Sequence, residues 1–370
     1  MGFISALTSL KFFWRIWSVL SVSALLGGCF ILYSRLNILY ALFWLAVSGV
    51  LLAYQLLIFR RNLAFNVSMN TGQALAGIGI ANWVTLSRGI VIAMLAGFVA
   101  IPKPGGWLGW MPGILYSLVV IGDYLDGFLA RRLRQETKLG EFFDTFLDGL
   151  GVFLGAFLLV LYGKAPWWYL MVGLARYLFL FGIWRRRKLG LPVYDLTYSP
   201  VRRALAGSQM GFIAVVLLPI FGPPVTTVAS TLFMIPFLLN FLRDGLFVSG
   251  VRISLQFQLS WIVQWVPLIL RAIVIASIVS LWLSGSTGLF IGDVILEGVM
   301  LLLLLFGIAG RITAILALLF SGYFLQFDLM NEVFWIILVC SSLLFFTGSG
   351  RLSLWKPEDT LIYKRAGERK

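Results

Sequence analysis

Apolar residues run along the chain in twelve stretches, which are separated by short polar segments. The stretches cover about 16–33, 38–58, 77–100, 112–132, 140–162, 166–184, 203–221, 225–242, 257–282, 290–309, 312–326 and 333–349. Each is near the ~20 residues that an α-helix needs to cross ~30 Å of hydrocarbon. The pattern predicts an all-α, polytopic membrane protein with about twelve transmembrane helices.

The composition agrees with this prediction and excludes several kinds of functional site. Of the 370 residues, 60% are hydrophobic and 12% are charged, whereas about 25% of residues are charged in ordinary soluble domains. Histidine is absent, and the two cysteines, Cys29 and Cys340, lie in apolar runs. A disulfide scaffold, a zinc site and a serine–histidine hydrolase triad are therefore excluded. Any bound metal must have oxygen ligands.

The net charge is +14, and the distribution of the basic residues among the loops indicates the membrane topology. With a cytoplasmic N-terminus, the outer loops hold only Arg35, Lys103 and Lys164. The inner loops and the tail hold seventeen basic residues: Arg60 and Arg61; Arg131, Arg132, Arg134 and Lys138; Arg185–Lys188; Arg243, Arg252 and Arg311; and Lys364, Arg365, Arg369 and Lys370. This asymmetry predicts a multi-pass plasma-membrane protein with both termini in the cytoplasm. The basic residues then face anionic membrane lipids rather than nucleic acid.

The N-terminal stretch carries a weak processing signal. Lys11 and Arg15 precede an apolar run that ends at Cys29, which resembles a lipoprotein cleavage site. A second span follows directly after Arg35, so we expect the first helix to be retained.

Composition divides the chain into three parts. Residues 1–68 form a two-span hairpin, residues 69–250 hold six spans and most of the intramembrane charge, and residues 251–370 hold four spans and a basic tail. The boundaries are the polar stretches 60–79 and 243–252.

Four aspartates lie within one 26-residue window of the six-span part. An aspartate at mid-membrane costs about 2.5–3.5 kcal/mol, so such residues usually have a function. Asp123 and Asp126 share one helical face, and Asp144 and Asp148 share another. Because only a short basic turn separates the two helices, we expect these faces to meet at the cytoplasmic end.

Four neighbouring carboxylates repel one another unless cations bind them. Oxygen ligands favour Mg²⁺, Ca²⁺ or Mn²⁺, and such ions can bridge a pyrophosphate. Three small residues on the same faces, Gly127, Ala130 and Gly140, leave room for a ligand, and Arg131 can pair with phosphate oxygens. The alternative is a structural role, in which the aspartates pair with Arg131, Arg132 and Arg134 at the membrane surface.

The pattern D-x-x-D-G-x-x-A-R-x(8)-G-x-x-x-D-x-x-x-D, from Asp123 to Asp148, resembles the signature of the CDP-alcohol phosphatidyltransferases. Upstream, Asn82, Thr85 and Arg88 are similar to the N-x-x-T-x-x-R element of that family. The resemblance covers about residues 75–245. It implies a six-helix core that transfers a phosphatidyl or related group from a CDP-linked donor, with CDP-diacylglycerol expected, to an acceptor hydroxyl. CMP is released, and two divalent cations, Mg²⁺ or Mn²⁺, are required.

The resemblance also implies roles for individual residues. Asp123, Asp126, Asp144 and Asp148 would bind the metals, and Asp148 would also be the catalytic base. The CDP site would be lined by Gly127, Ala130, Arg131, Thr137 and Gly140, with Asn82 and Thr85 close by.

The acceptor alcohol is not encoded in this motif. Arg176, Arg203 and Arg88 are candidates for the acceptor site, and the alternative is that these side chains extend to the cytoplasmic surface. Phosphatidylglycerophosphate synthases commonly read D-P-L-A-D-K where this chain reads Asp144-Thr-Phe-Leu-Asp148-Gly149. This departure argues against that subfamily. Family members are often homodimers, which is the expected partner arrangement.

The last four spans contain a second set of polar residues. Arg271, Glu297, the Gly310–Thr313 segment and the Thr347–Ser353 segment resemble the DoxX-like four-helix membrane family. A simpler interpretation, which we prefer, is an Arg271–Glu297 ion pair between two helices, with Asp293 one turn before Glu297.

Two other functions are compatible with a polytopic chain. A transporter predicts matching charged motifs in two halves, but the aspartate motif occurs once. A non-catalytic scaffold or lipid-binding protein has no need for four aspartates, which would destabilise the bundle without metal.

Overall fold

The computed structural model describes the backbone of residues 2–196, 199–251, 256–285, 291–350 and 352–358. The predicted basic tail, Arg252 and Arg351 lie outside these residues. The described residues contain isolated β-bridges but no strand. They form twelve α-helices: α1 Gly2–Tyr33, α2 Ile38–Arg61, α3 Ile80–Gly97, α4 Met111–Leu133, α5 Lys138–Leu161, α6 Leu170–Lys188, α7 Pro200–Leu217, α8 Val225–Val248, α9 Gln256–Ser284, α10 Ile291–Phe306, α11 Gly310–Phe324 and α12 Glu332–Thr347.

Eight of these helices, within the described part of the chain, are long and apolar enough to cross a membrane. They are α1–α6, α8 and α9. Helices α11 and α12 are shorter apolar helices of 15 and 16 residues. Helix α7 carries Arg202, Arg203 and Gln209, which lower its hydropathy. The prediction of an all-α, polytopic membrane protein is confirmed.

Side chains of polar residues define where several helices begin. Asn37, Thr137 and Asn331 each precede a helix and accept a hydrogen bond from a backbone N–H of its first turn. This satisfies donors that have no partner inside the helix. Helix α4 starts with Pro112 in its first turn and ends at Arg134, whose φ of 55° reverses the chain.

The backbone packs as two compact units. Among the described residues, the first unit comprises 2–176 and Gly207–Pro219 and contains α1–α5. Its core brings together buried apolar side chains of the hairpin and of α3–α5: Phe59, Leu86, Ile92, Val119 and Leu147. The three-part division drawn from composition is a separate partition and stays a prediction.

Helix α2 packs closely on α3 inside the first unit. Ser48 and Trp44 lie against Gly97, where a Cβ atom would overlap both side chains. At the other end of this contact, Gln55 of α2 lies against Gly89 of α3, the residue that follows Arg88. The N-terminal hairpin is thus packed on α3.

The second unit comprises 177–206 and 220–358 of the described residues. Its core is formed by buried side chains of α9–α12, including Val274, Ile278, Met300, Ala314 and Leu338.

The expected Arg271–Glu297 ion pair is wrong. The Arg271 guanidinium is buried and donates to the carbonyls of Leu304, Leu305 and two residues after α12, Ser349 and Leu352. Glu297 instead accepts a hydrogen bond from the Trp282 indole. Arg271 therefore neutralises carbonyls at the end of α10, where the helix dipole is negative. The DoxX-like resemblance stays a prediction.

Candidate active site

The two aspartate pairs lie on α4 and α5, which are joined by residues 134–137. Arg134 takes a left-handed conformation, and its N–H donates to the carbonyls of Ala130 and Arg131 at the end of α4. Thr137 then caps α5, because its side-chain oxygen accepts from the Gly140 N–H at 3.0 Å. This tight connection returns the chain on itself and brings the two motif helices together.

The side chain of Arg88 inserts from α3 among all four aspartates. Its Nη1 lies 2.6 Å from Asp123 Oδ1 and 3.1 Å from Asp126 Oδ2. Its Nη2 lies 2.6 Å from Asp144 Oδ1 and 3.0 Å from Asp148 Oδ1. Three helices therefore meet at one guanidinium, which is 2% exposed.

The four carboxylates differ in exposure. The Asp126 side chain is only 4% exposed, whereas those of Asp123, Asp144 and Asp148 are 33%, 40% and 34% exposed. Asp126 is held further by the Thr85 hydroxyl, which donates to its Oδ2 at 2.9 Å. The site thus has a buried floor and three carboxylates that a ligand can reach.

The donor set fits an oxygen-liganded divalent cation. One carboxylate oxygen from each of Asp123, Asp126 and Asp144 lies within 4.8 Å of the other two. Arg88 supplies one positive charge against four negative charges, so most of the carboxylate charge is left unbalanced by this contact. Carboxylate ligands of this kind suit Mg²⁺ or Mn²⁺.

Small and polar residues hold the first turn of α5 against α3. The Asn82 amide donates to Thr137 Oγ1 at 3.0 Å, so Thr137 links α3 to the first turn of α5. A Cβ atom on Gly140 would overlap Asn82 Oδ1 and lie 3.1 Å from Thr137 Oγ1. Gly140 is therefore required for this close approach.

On α4, the Arg131 guanidinium lies over Gly127. A Cβ atom on Gly127 would come within 3.1 Å of Arg131 Nη1. The Ala130 carbonyl, one turn on, accepts from the Gln135 N–H at 2.9 Å. The structure thus places Asn82, Thr85, Gly127, Ala130, Arg131, Thr137 and Gly140 on the same three helix ends as the aspartates.

The predicted acceptor residues fall in different places. Arg88 lies at the centre of the aspartates. Arg176, a half-buried residue of α6, is near enough to Asp144 for their charges to attract. Arg203 is half-buried in the first turn of α7 and belongs to the second unit. Arg132 and Arg134 of the alternative interpretation are exposed on the surface.

Gln135 is a site neighbour that the motif did not indicate. Its Oε1 accepts from the Ile80 N–H at 3.1 Å, so it caps the first turn of α3. The local sequence carries no signal for this contact, because Ile80 and Gln135 are 55 positions apart.

A model of the family described as CDP-alcohol phosphatidyltransferase matches residues 78–273, more than half of the chain. The chain belongs to this family. The match starts just before α3 and extends past the predicted boundary at residue 250. The family resemblance predicted from the motif is confirmed.

Curated relatives match a shorter part. Proteins named CDP-diacylglycerol–glycerol-3-phosphate 3-phosphatidyltransferase from Sodalis glossinidius (strain morsitans) and Yersinia enterocolitica serotype O:8 / biotype 1B are each 33% identical over 91 residues, 25% of this chain and 48% of the relative. The protein of that name from Salmonella choleraesuis (strain SC-B67) is 35% identical over 89 residues, 24% of this chain and 47% of the relative. The chain thus spans about half the length of these relatives. No solved structure matches the chain.

Proposed function

We propose that the protein is an integral-membrane CDP-alcohol phosphatidyltransferase of phospholipid synthesis. It transfers a phosphatidyl group from CDP-diacylglycerol to the hydroxyl of a small polar acceptor. The new bond joins the acceptor oxygen to the donor's β-phosphorus, the bond from that phosphorus to CMP breaks, and the hydroxyl proton passes to a carboxylate.

The observation that carries this proposal is the convergence of the signature aspartates from two helices. Asp123, Asp126, Asp144 and Asp148 all lie within 3.1 Å of one guanidinium, and three of them remain open to a ligand. Family membership and the names of the relatives support phosphatidyl transfer with this site.

The four aspartates would hold two divalent cations, Mg²⁺ or Mn²⁺. When bound, these ions would neutralise a pyrophosphate and make its phosphorus more electrophilic. Thr85 orients Asp126 from α3 through its hydrogen bond, which prepares the buried carboxylate for binding. The space that was expected to admit a ligand beside Gly140 and Gly127 is filled by Asn82 and Arg131. Gly127 thus allows the Arg131 guanidinium to lie against α4, where it offers a fork of donors for phosphate oxygens.

Asp148 is the residue proposed to accept the acceptor's proton. It lies one helical turn beyond Asp144 on α5, and its Oδ1 lies 3.0 Å from Arg88 Nη2. The Arg88 side chain contacts all four carboxylates, so we propose a counterion role for it in place of the acceptor role. Arg176 remains the acceptor-site candidate in the first unit, because its charge faces Asp144.

The relatives point to glycerol 3-phosphate as the first acceptor to test. Their names specify this acceptor, although the Asp144–Asp148 segment departs from the pattern common in that subfamily. Arg176 is suited to an acceptor that carries phosphate.

The test uses purified protein in detergent with CDP-diacylglycerol, Mg²⁺ or Mn²⁺, and a panel of acceptors. The panel contains glycerol 3-phosphate, serine, inositol, inositol phosphate and phosphatidylglycerol. We expect acceptor-dependent CMP release, a lipid product whose mass names the acceptor, and loss of both in Asp148→Asn.

Asp195→Asn is the matched control, because Asp195 is an exposed aspartate in the loop after α6. It should retain wild-type turnover. CMP release that is equal in Asp148→Asn and wild type would contradict the proposal. No turnover with any acceptor, in protein that is folded and supplied with both metals, would favour the scaffold or lipid-binding alternative.

A further inference from the structure

Residues 62–79, called here the linker, join the N-terminal hairpin to α3. The linker starts after α2 ends at Arg61 and stops where α3 begins at Ile80. Almost all of it precedes residue 78, where the family match begins. From composition it is a polar boundary between two parts of the chain. In the structure it is a folded segment that contacts the turn between the two aspartate helices.

The contact is a short stretch of backbone pairing. The Met69 N–H donates to the Glu136 carbonyl at 2.9 Å, and the Lys138 N–H donates to the Val67 carbonyl at 3.1 Å. Between them, Ser68 and Thr137 form an antiparallel bridge. The linker is thus hydrogen-bonded on both sides of Thr137, the residue that caps α5.

Asn66 holds the linker in the shape that makes this pairing. Its amide donates to the carbonyls of Leu75 and Gly77, each at 3.0 Å. Its own backbone carbonyl accepts from the Leu75 N–H at 2.9 Å. The residue is 1% exposed, so these bonds are shielded from water. Three bonds from one buried residue therefore close the linker into a loop.

The pairing acts directly on the catalytic motif. Thr137 accepts from Asn82 of α3 and from the Gly140 N–H of α5. Any movement of residues 136–138 would therefore shift the start of α5, and with it Asp144 and Asp148 relative to Asp123 and Asp126. A metal site tolerates little such movement, since ligand oxygens must lie within a few tenths of an ångström of their places.

We propose that the linker positions the active site, and that Asn66 is the positioning residue. Asn66 holds the shape of the linker, and the linker in turn holds the turn 134–137. The linker thereby sets the spacing between the two aspartate pairs. This inference rests on the function proposed above and assigns a role in it to a segment that precedes the family match.

The first test measures hydrogen–deuterium exchange of the full chain in detergent. Asn66→Ala removes two hydrogen bonds from the linker. We expect the peptide that covers residues 136–141 to exchange about tenfold faster, which corresponds to about 1.4 kcal/mol of lost stability. Asn62→Ala is the matched control, because Asn62, at the start of the linker, donates from its amide to the Ile58 carbonyl at the end of α2 and not to another part of the linker. It should leave that peptide unchanged.

The outcome that overturns the proposal is equally specific. If Asn66→Ala speeds exchange in the linker but not in residues 136–141, Asn66 stabilises only its own loop. Should Asn66→Ala fail to fold, Asn66→Leu removes the same N–H donors, keeps a similar side-chain volume and adds no charge, and the same comparison applies.

The second test measures Mn²⁺ binding by electron paramagnetic resonance, normalised to folded protein. We expect Asn66→Ala to bind Mn²⁺ several-fold more weakly than wild type and Asn62→Ala to bind it equally well. A positioning role fails if Asn66→Ala keeps wild-type affinity. If wild type binds no more Mn²⁺ than Asp144→Asn does, the metal site of the proposed function fails instead, and the exchange measurement alone decides whether the linker holds the turn.

Discussion

The Arg88 guanidinium contacts four carboxylates in the first unit, and the shape of this group explains why the residue is an arginine. Nη1 of Arg88 contacts the two aspartates of α4, and Nη2 contacts the two aspartates of α5, at 2.6–3.1 Å. The planar fork of arginine can make such contacts in fixed directions, whereas a lysine presents a single point charge. Arg88 is therefore suited to hold α3, α4 and α5 together at the site.

Replacing Arg88 by methionine should strongly destabilise the protein when no divalent cation is present. The substitution leaves the mostly buried Asp126 without its charged partner, and breaking buried ion pairs in this way costs about 3–5 kcal/mol. We expect Mg²⁺ to raise the unfolding temperature of Arg88→Met more than that of wild type, because cations then replace the lost charge. Arg132→Met, at an exposed position of α4, is the control. An equal response to Mg²⁺ in Arg88→Met and wild type would contradict the counterion role.

Gly140→Ala should impair catalysis because the new methyl group has no space. It would overlap Asn82 Oδ1 and crowd Thr137 Oγ1, so α5 must shift. Misplacement of catalytic groups by about 1 Å can cost on the order of 100-fold in rate. Gly151→Ala on the same helix is the control, since its nearest neighbour, Val119 Cγ1, would be at an ordinary 3.6 Å. CMP release should fall in Gly140→Ala alone, and equal rates in the two variants would show that the contact is unimportant.

At the scale of helices, the sequence predicts the elements well because the apolar runs and the polar breaks coincide with helix ends. The spans 38–58 and 112–132 correspond to Ile38–Arg61 and Met111–Leu133. The pairing of aspartates also follows from local spacing, since i+3 and i+4 neighbours share a helix face. These features depend on residues that are close in the chain, which is why a single sequence is enough.

Contacts between distant residues could not be predicted in this way. Arg88 contacts aspartates up to 60 positions later, and the backbone of Val67 and Met69 pairs with Lys138 and Glu136, about 70 positions later. Arg271 binds helix-end carbonyls rather than Glu297, because a helix terminus attracts a cation as a carboxylate does. Hydropathy and motif spacing carry no signal for any of these partners.

Lys164 lies in the loop after α5, which is predicted to be an outer loop, and its side chain caps the end of another helix. Its side chain is 3% exposed, and Nζ donates to the carbonyls of Val216 and Leu218 at 2.7 and 2.5 Å. These carbonyls lie at the end of α7, where they have no partner in the helix. Burial, together with the charge of Lys103, lowers the pKa of Lys164 to about 8.

This lowered pKa predicts how stability depends on pH. The unfolded chain holds the Lys164 proton more tightly than the folded chain, so stability rises as pH increases from about 8 towards the ordinary value of 10.5. The cost of the buried charge is fully present below about pH 8. The unfolding free energy of wild type relative to Lys164→Met should therefore increase between about pH 7 and pH 9.5. A difference that stays constant would contradict a titrating, buried Lys164. The pH range of this comparison ends below pH ~10, because tyrosines of the unfolded chain ionise there.

For the molecule as a whole, the orientation in the membrane is predicted from the difference in positive charge between inner and outer loops. Because Lys164 is buried, it adds little free positive charge to the predicted outer side. Of the three basic residues predicted on outer loops, Lys164 is bound to carbonyls, and Arg35 lies over the Trp107 ring at 5.8 Å. Within the first unit, Arg131 and Arg132 lie in the last turn of α4, beside the aspartates, whereas Lys103 precedes the start of that helix. From this distribution of positive charge we expect the aspartates to lie at the cytoplasmic side of the membrane.

Cysteine labelling across α4 tests this orientation within the first unit. Cys29 and Cys340 are first replaced by alanine, and single cysteines are then placed at Lys103, before α4, and at Arg132, in its last turn; both positions are exposed. Because positive residues are retained inside, a membrane-impermeant maleimide should label Lys103→Cys in intact cells and Arg132→Cys only after permeabilisation. Both variants should label after permeabilisation, which controls for reactivity. Labelling of Arg132→Cys in intact cells, with Lys103→Cys protected, would place the aspartates on the outer face. It would contradict a cytoplasmic transferase even if the four carboxylates bind metal.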